Sequence, residues 1–337
     1  MDGLYFGKTG RNLIMKKRGK IAIVLSVIVA VFLLIWVLVL RSGENPEWGV
    51  TYSTVYAEEL GLDVEESYLA VLDELQPASI RIPVYWSRYE YASMSFNFDE
   101  LDWMMDEAAA REIPVTLAIG NKVPRWPECF IPEWYGEEYQ EGLRDYLYVS
   151  VVRYRDHPAL ARWQVENEPY FPFGECPTLD TELLREEVLL VRKLDPETPI
   201  QQTTSGEQSF WAFHAMGSDI LGVSLYREVK NGVTGPFIFP LNPTWYRVQS
   251  VVAHLFADRV VISELQMEPW GVAEYVEDQK SLEAYDHFTA EELAAHMEFA
   301  SQTGMDEVSL WGVEWWYYLK EMGDDRLWEK GKELMTY

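Results

Sequence analysis

Histidine, cysteine and glycine-rich turns are what this chain has least of, and each shortage closes a class of chemistry. Two cysteines, Cys129 and Cys176, occur in 337 residues. They cannot make a four-cysteine metal site, and neither lies in a CxxC or beside a histidine at ligand spacing. The five histidines (His157, His214, His254, His287 and His296) fall in segments that read as helix or loop, with no HxH or HExxH. A zinc hydrolase or a Ser-His-Asp triad would therefore lack its ligands or its base. No metal and no organic cofactor is expected. Neither GxGxxG nor GxxxxGKS/T occurs, so a doubly wound nucleotide-binding sheet lacks its phosphate-cradling turn. Basic charge is short as well. The formal net charge is −27, and residues 1–41 hold seven Lys or Arg against Asp2 alone, leaving 21 basic against 54 acidic residues, a net −33, for 42–337. Such a surface repels nucleic acid, anionic lipid and polyanionic substrates; a neutral substrate fits better.

What is present is apolar and aromatic mass: 48% of the residues are hydrophobic and 14% aromatic. That is ample for one large core, and aromatic rings suit the apolar faces of sugars as well as cores. Ile21–Leu40 is a run of 20 residues without a charge, long enough to cross about 30 Å of hydrocarbon. A cleaved signal peptide would have a shorter apolar stretch and a small-x-small site, whereas Arg41-Ser42-Gly43-Glu44 follows here. Arg11, Lys16, Lys17, Arg18 and Lys20 precede the run and only Arg41 closely follows it, which predicts a cytoplasmic N-terminus and an exported domain. The expected organisation is a basic cytoplasmic tail over 1–20, a transmembrane anchor over 21–40, a short linker over 41–47 and one large domain over 48–337. With so short a linker, the face on which the first strand begins is expected to lie against the membrane.

Within 48–337, short β-rich runs alternate with amphipathic helices. Strands read at Gly49–Tyr52, Ala78–Val84, Pro114–Gly120, from Trp163, and at Ile200–Thr204, Ile220–Tyr226, Val260–Glu264 and Glu307–Trp311. Helices read at Val64–Leu75, from near Asn97 with Glu100 at the capping-box position, and at Tyr139–Tyr154, Thr181–Leu194, Ser209–Met216 and Tyr246–Phe256. Two more run from Thr289, with Glu292 completing a capping box, and over Arg326–Met335. Asn121–Glu137 reads as a long loop. Eight β-then-α units of this total length match an α/β fold of the (β/α)8 TIM-barrel type.

Active sites in such barrels lie at the C-terminal ends of the strands. Tyr52, Arg81, Asn121, Asn167, Glu168, Tyr226, Glu264 and Trp311 fall there. The fourth strand ends in Glu166-Asn167-Glu168-Pro169 and the seventh in Ile262-Ser263-Glu264, so Glu168 and Glu264 approach from opposite sides of the mouth. Two carboxylates flanking a bond are the equipment of glycoside hydrolysis. The run Trp163-Gln164-Val165-Glu166-Asn167-Glu168-Pro169, the Ile-Ser-Glu at 262–264, Arg81, Tyr226 and Trp311 together resemble clan A of the retaining glycoside hydrolases, which includes family 5 and family 39. The resemblance spans Trp48 to about Tyr318. It implies that Glu168 is the acid/base, Glu264 the nucleophile and Asn167 the ligand of the sugar 2-hydroxyl. By the same resemblance Arg81 and Tyr226 hold the nucleophile and Trp311 is the platform beneath the sugar. The end of the third strand, Gly120-Asn121-Lys122, departs from common family 5 patterns.

Other candidates have blander readings. Glu166 is expected to lie deeper and pair with a buried cation, and Glu268 and Glu207 to be solvated loop carboxylates. Glu314 is expected on a loop as a ligand of sugar hydroxyls, with Asn121 a further substrate contact. Trp126, Trp134, Trp270, Trp315 and Trp316 are expected in loops, where glycan stacking competes with simple packing. The loops carrying Cys129 and Cys176 share the mouth of the barrel, so a disulfide between them is expected to brace its rim. The functional expectation is a membrane-anchored, extracytoplasmic hydrolase of a neutral glycan. A transglycosylase using the same residues and a non-catalytic carbohydrate-binding barrel are its rivals.

Overall fold

The computed structural model describes residue 20 and residues 45–231, 235–269 and 288–336. Its centre is a closed barrel of eight parallel strands: β1 (Glu47–Thr51), β2 (Ile80–Pro83), β3 (Val115–Ile119), β4 (Leu160–Val165), β5 (Ile200–Ser205), β6 (Ile220–Leu225), β7 (Arg259–Gln266) and β8 (Glu307–Trp311). Strands pair in chain order, and β8 closes on β1 with Glu47 opposite Glu307 and Val50 opposite Leu310. Both faces of each strand are covered, which is why these runs are rich in β-branched residues. Val50, Ile82, Leu117, Trp163, Val165, Leu221 and Ile262 are buried in the apolar core.

The barrel interior is polar. Arg162 on β4 pairs with Glu307 at 2.7 Å and donates through Nη1 to Gln201 Oε1 at 3.2 Å. Gln201 Nε2 donates to Gln164 Oε1 at 3.2 Å, and Arg81 Nη1 donates to the same oxygen at 3.2 Å. These residues alternate along their strands with the outward-facing apolar ones, as the two-residue period of a strand requires.

The helices follow from the apolar periodicity. Leu101, Met104, Met105 and Ala108 are the buried face of Asp99–Ala110. The capping box expected at Thr289 is complete, with Glu292 on the Thr289 N–H and the Thr289 hydroxyl on the Glu292 N–H. The box expected at Asn97 and Glu100 does not form. Asn97 instead accepts from the Asp99 N–H, and both Glu100 oxygens are taken by Arg88 at 2.6 and 2.8 Å. A guanidinium is a stronger donor to a carboxylate than a neutral N–H is. A helix that the sequence reading placed in a loop runs over Val313–Glu321, and in it Glu314, Trp315 and Trp316 are all buried. Its apolar positions are not confined to one face, so it lacks the stripe that marks a surface helix.

The apolar run 21–40 lies outside the described residues. Among the described residues no helix is long and apolar enough to cross a membrane.

Candidate active site

The ends of β4, β6 and β7 bring three groups together with Arg81 from β2. Arg81 is 3% exposed and its guanidinium is fully occupied: Nε donates to Thr51 Oγ1 at 2.9 Å, Nη1 to Gln164, and Nη2 to Glu264 Oε1 at 2.9 Å. Tyr226 donates its hydroxyl to the other Glu264 oxygen at 2.8 Å. Both oxygens of Glu264 therefore accept strong donors, one of them cationic.

Glu168 stands in a different environment. One oxygen accepts from the Ser224 hydroxyl at 2.5 Å. Burial pushes its carboxyl up to about 7, and the Glu264 charge pushes the same way, against the Ser224 bond and the more distant Lys122 and Arg81. Two carboxyls in one cleft thus have different surroundings, one clamped by Arg81 and Tyr226 and the other accepting from Ser224 and pushed up to about 7.

The backbone leaving β4 makes this possible. Glu166 and Glu168 both have left-handed φ angles, 60° and 43°. The extended path is broken there, and Asn167 and Glu168 turn over the barrel mouth. Such angles cost a non-glycine residue about 1–2 kcal/mol each. They are held by hydrogen bonds from Glu166 N to Ile119 O, Asn167 N to Lys122 O and Glu168 N to Thr203 Oγ1, all between 2.7 and 2.8 Å. Lys122 adds donors to the carbonyls of Glu168 and Phe171 at 3.2 and 2.7 Å, and a disulfide joins Cys129 to Cys176 across the same pair of loops.

Asn167 is 3% exposed. Its Oδ1 accepts from Gln164 at 3.1 Å and from Thr203 at 3.3 Å, and its Nδ2 donates to Glu128 Oε2 at 3.2 Å. Trp311 is 7% exposed, with its indole N–H on Glu268 at 2.9 Å and the Arg125 guanidinium stacked 4.0 Å from its ring centroid. Arg125 lies 3.7 Å from the Tyr56 ring on its other side. The Trp311 ring is fixed by this packing.

Other expected positions are placed differently. Tyr52 is fully buried with its hydroxyl on Ser67 and the Val64 carbonyl, away from the carboxyl pair. Glu314 has no exposed surface and accepts from the Ser53 N–H at 2.5 Å and from Arg125 at 3.4 Å, so it supports Arg125 and cannot meet a sugar. Asn121 turns its amide to Glu166 at 3.0 Å. Among the described residues Glu166 forms no direct ion pair; its carboxyl accepts from the backbone N–H groups of Asn121 and Lys122 at 2.8 and 2.7 Å and lies against Glu187, with the Lys122 charge nearby. Glu268 is buried and Glu207 only partly exposed, and the carboxyls of both are hydrogen-bonded. Glu207 accepts from the Tyr246 hydroxyl and the Tyr226 N–H, and burial pushes its carboxyl up to about 8. Glu268 is paired with Arg125. Trp315 and Trp316 are core residues, Trp126 is half-buried at the rim, Trp134 is 47% exposed, and Trp270 lies outside the described residues.

Sequence reasoning missed Ser224, Thr203, Arg125 and Glu128. Ser224 sits two residues before Tyr226 and so shares its strand face, a signal that was available. Arg125 and Glu128 come from the long loop after β3, where no period predicts direction. Among the described residues no group of three His, Cys, Asp or Glu side chains is arranged to hold a metal ion.

Solved structures share this fold. GH5_18 from Streptomyces cattleya in complex with GlcNAc is 15% identical over 80% of this chain and 71% of that one, with a TM-score of 0.56. GH5_18 from Bifidobacterium longum subsp. longum is 10% identical over 87% of this chain and 79% of that one, at 0.60. A β-galactosidase from Bacillus circulans sp. alkalophilus is 12% identical, at 0.53, and the match covers 88% of this chain but 56% of that protein. No family model and no curated protein matches the chain. At these identities the likeness is one of fold, the eight-stranded parallel barrel.

Proposed function

We propose that the chain is a membrane-anchored, extracytoplasmic glycoside hydrolase that cleaves O-glycosidic bonds of a neutral oligo- or polysaccharide. One observation carries the reading: the two strand-end carboxyls have opposite environments. Glu168 retains its proton up to about 7 and so can give it to a leaving glycosidic oxygen. Glu264 has both oxygens engaged by Arg81 and Tyr226. A carboxylate clamped on both sides in this way is held in one orientation for attack on the anomeric carbon.

In the first step Glu168 protonates the departing oxygen while Glu264 attacks the anomeric carbon, giving a glycosyl ester and the free aglycone. In the second, Glu168 takes a proton from water, which displaces Glu264 with net retention. Trp311 offers the face on which the sugar ring packs, and Asn167 offers an amide donor beside the reacting carbon. A Glu-to-Ala variant of the GH5_18 from B. longum was solved in complex with Manβ1-4GlcNAc, and a β-linked mannoside is for that reason the first substrate to try. The tail 1–20, anchor 21–40 and linker 41–47 rest on the charge and hydropathy of the sequence, and they hold the domain outside the cytoplasm.

The test is an aryl-glycoside and oligosaccharide panel on the full chain in detergent, beside Glu168→Ala and Glu264→Ala. Both variants should lose at least about 10³-fold in kcat on a substrate with a poor leaving group. Azide should rescue Glu264→Ala and yield a glycosyl azide of inverted configuration. Full activity in either variant would refute the assignment.

A further inference from the structure

Glu128 is a third carboxyl in the cleft, and neither strand periodicity nor the two-carboxylate mechanism accounts for it. It comes from the loop after β3, is 6% exposed, and has a left-handed φ of 74°. Its backbone is held without its side chain: Glu128 N donates to Arg125 O at 2.6 Å, Val123 N to Glu128 O at 2.8 Å, and Glu175 N to the carbonyl of neighbouring Pro127 at 2.9 Å. The adjacent Cys129 is tied to Cys176. Gly174 closes over the residue so tightly that a Cβ there would lie 2.5 Å from Glu128 Cβ. The loop thus presents one carboxyl in one place, and the carboxyl is not needed to hold the loop.

That carboxyl makes a single hydrogen bond among the described residues, from Asn167 Nδ2 to Oε2. One neutral amide is poor compensation for burying a carboxyl. Burial pushes it up to about 8; Lys122 opposes that, and the Glu264 and Glu168 charges reinforce it. Glu128 is therefore within electrostatic reach of both the group that attacks the anomeric carbon and the group that serves the glycosidic oxygen. It also shares the amide of the residue preceding Glu168. The clan A resemblance implies that the sugar 2-hydroxyl sits at Asn167, and Glu128 accepts from that same amide.

We infer that Glu128 is a specificity-determining residue of the cleft, whose Oε1 hydrogen-bonds the C2 hydroxyl of the reacting sugar together with Asn167. The substrate class is a glycoside with a free 2-hydroxyl, discriminated from 2-deoxy and 2-acetamido sugars. A site built to hydrogen-bond a hydroxyl loses most on an analogue that lacks it, because its buried polar groups are then left unpaired. A 2-acetamido group would bring a bulky acyl arm against this carboxyl, whose Cβ and Cγ are closed in by Gly174.

This rests on the glycosidase reading, and the experiment separates the two. On the full chain, kcat/KM is measured for wild type, Glu128→Gln and Glu128→Ala with the best aryl glycoside of the panel and its 2-deoxy counterpart, beside Glu168→Ala. Glu128→Ala should lose about 10- to 100-fold on the 2-hydroxy substrate and stay within about threefold on the 2-deoxy one. Glu128→Gln, which keeps shape and an acceptor, should lie between. An equal loss on both substrates would make Glu128 a brace of the loop, and no loss would make it idle; either overturns the inference. If Glu168→Ala is inactive while the Glu128 variants give either of those results, the inference alone falls. If the wild-type chain cleaves no glycoside, both fall.

Discussion

At the scale of single residues, the cleft works by giving chemically identical side chains different surroundings. Among the described residues Ser224 is the one donor that Glu168 accepts from directly at its carboxyl, and its bond favours the charged form against burial and the Glu264 charge. Under the proposed mechanism Glu168 must be protonated to act as the acid, so kcat/KM should fall as pH rises through about 7. Removing the Ser224 hydroxyl removes a stabiliser of the charged form, so Ser224→Ala should move this basic limb to higher pH while the protein remains folded; a pH–rate profile reads it, and a limb that moves down would contradict the assignment. The convergence of Glu168, Glu264, Arg81 and Tyr226 at the barrel mouth was legible because all four fall at strand ends and the Asn-Glu-Pro run is distinctive. Glu314 was misread for a physical reason: a carboxylate following a strand end looks identical in sequence whether it faces the cleft or anchors a buried arginine.

At the scale of elements, the mouth depends on how β3 and β4 end. Gly120 has a φ of +129°, and a Cβ there would lie 2.4 Å from Glu166 Oε1. The glycine leaves room for the Glu166 carboxylate to reach the N–H groups of Asn121 and Lys122, which aims the following loop. Gly120→Ala combines backbone strain with a collision and should destabilise the domain by about 2–4 kcal/mol, with activity falling further as the loop bearing Glu128 shifts. Urea unfolding and kcat/KM together check this; an unchanged midpoint would show that the loop is aimed by other means. The eight strands and most of their helices could be read from periodicity, and Thr181–Leu194, Glu307–Trp311 and Arg326–Met335 have the bounds expected. The helix Val313–Glu321 escaped because a helix buried on several sides has no amphipathic signature.

At the scale of the whole molecule, burial of carboxyls makes stability depend on pH in an unusual sense. Burial raises Glu128 and Glu207 to about 8 and Glu168 and Glu314 to about 7, whereas the unfolded chain titrates them near 4.5. Between about 4.5 and 8 the folded state therefore binds more protons, and stability should fall as pH rises. Salt-bridged surface carboxylates such as Asp73 and Asp324 are held below 3.8 and take over only in stronger acid. The melting temperature should thus be roughly 5 °C or more higher at pH 5.5 than at pH 8, by calorimetry; a rise toward pH 8 would refute this accounting. The acidic sequence foretold the excess of carboxylates but not which ones the fold would bury or partly bury. The barrel interior adds a last consequence. Arg162 donates to Gln201, Gln201 to Gln164, Gln164 to Asn167 and Asn167 to Glu128, every bond pointing from floor to mouth. Amides lined up in one sense are a row of dipoles whose positive ends face the opening, and each polarises the next. The scaffold thus carries a built-in field that favours negative charge at its mouth, and a new loop grafted there would inherit that bias before contributing a side chain of its own.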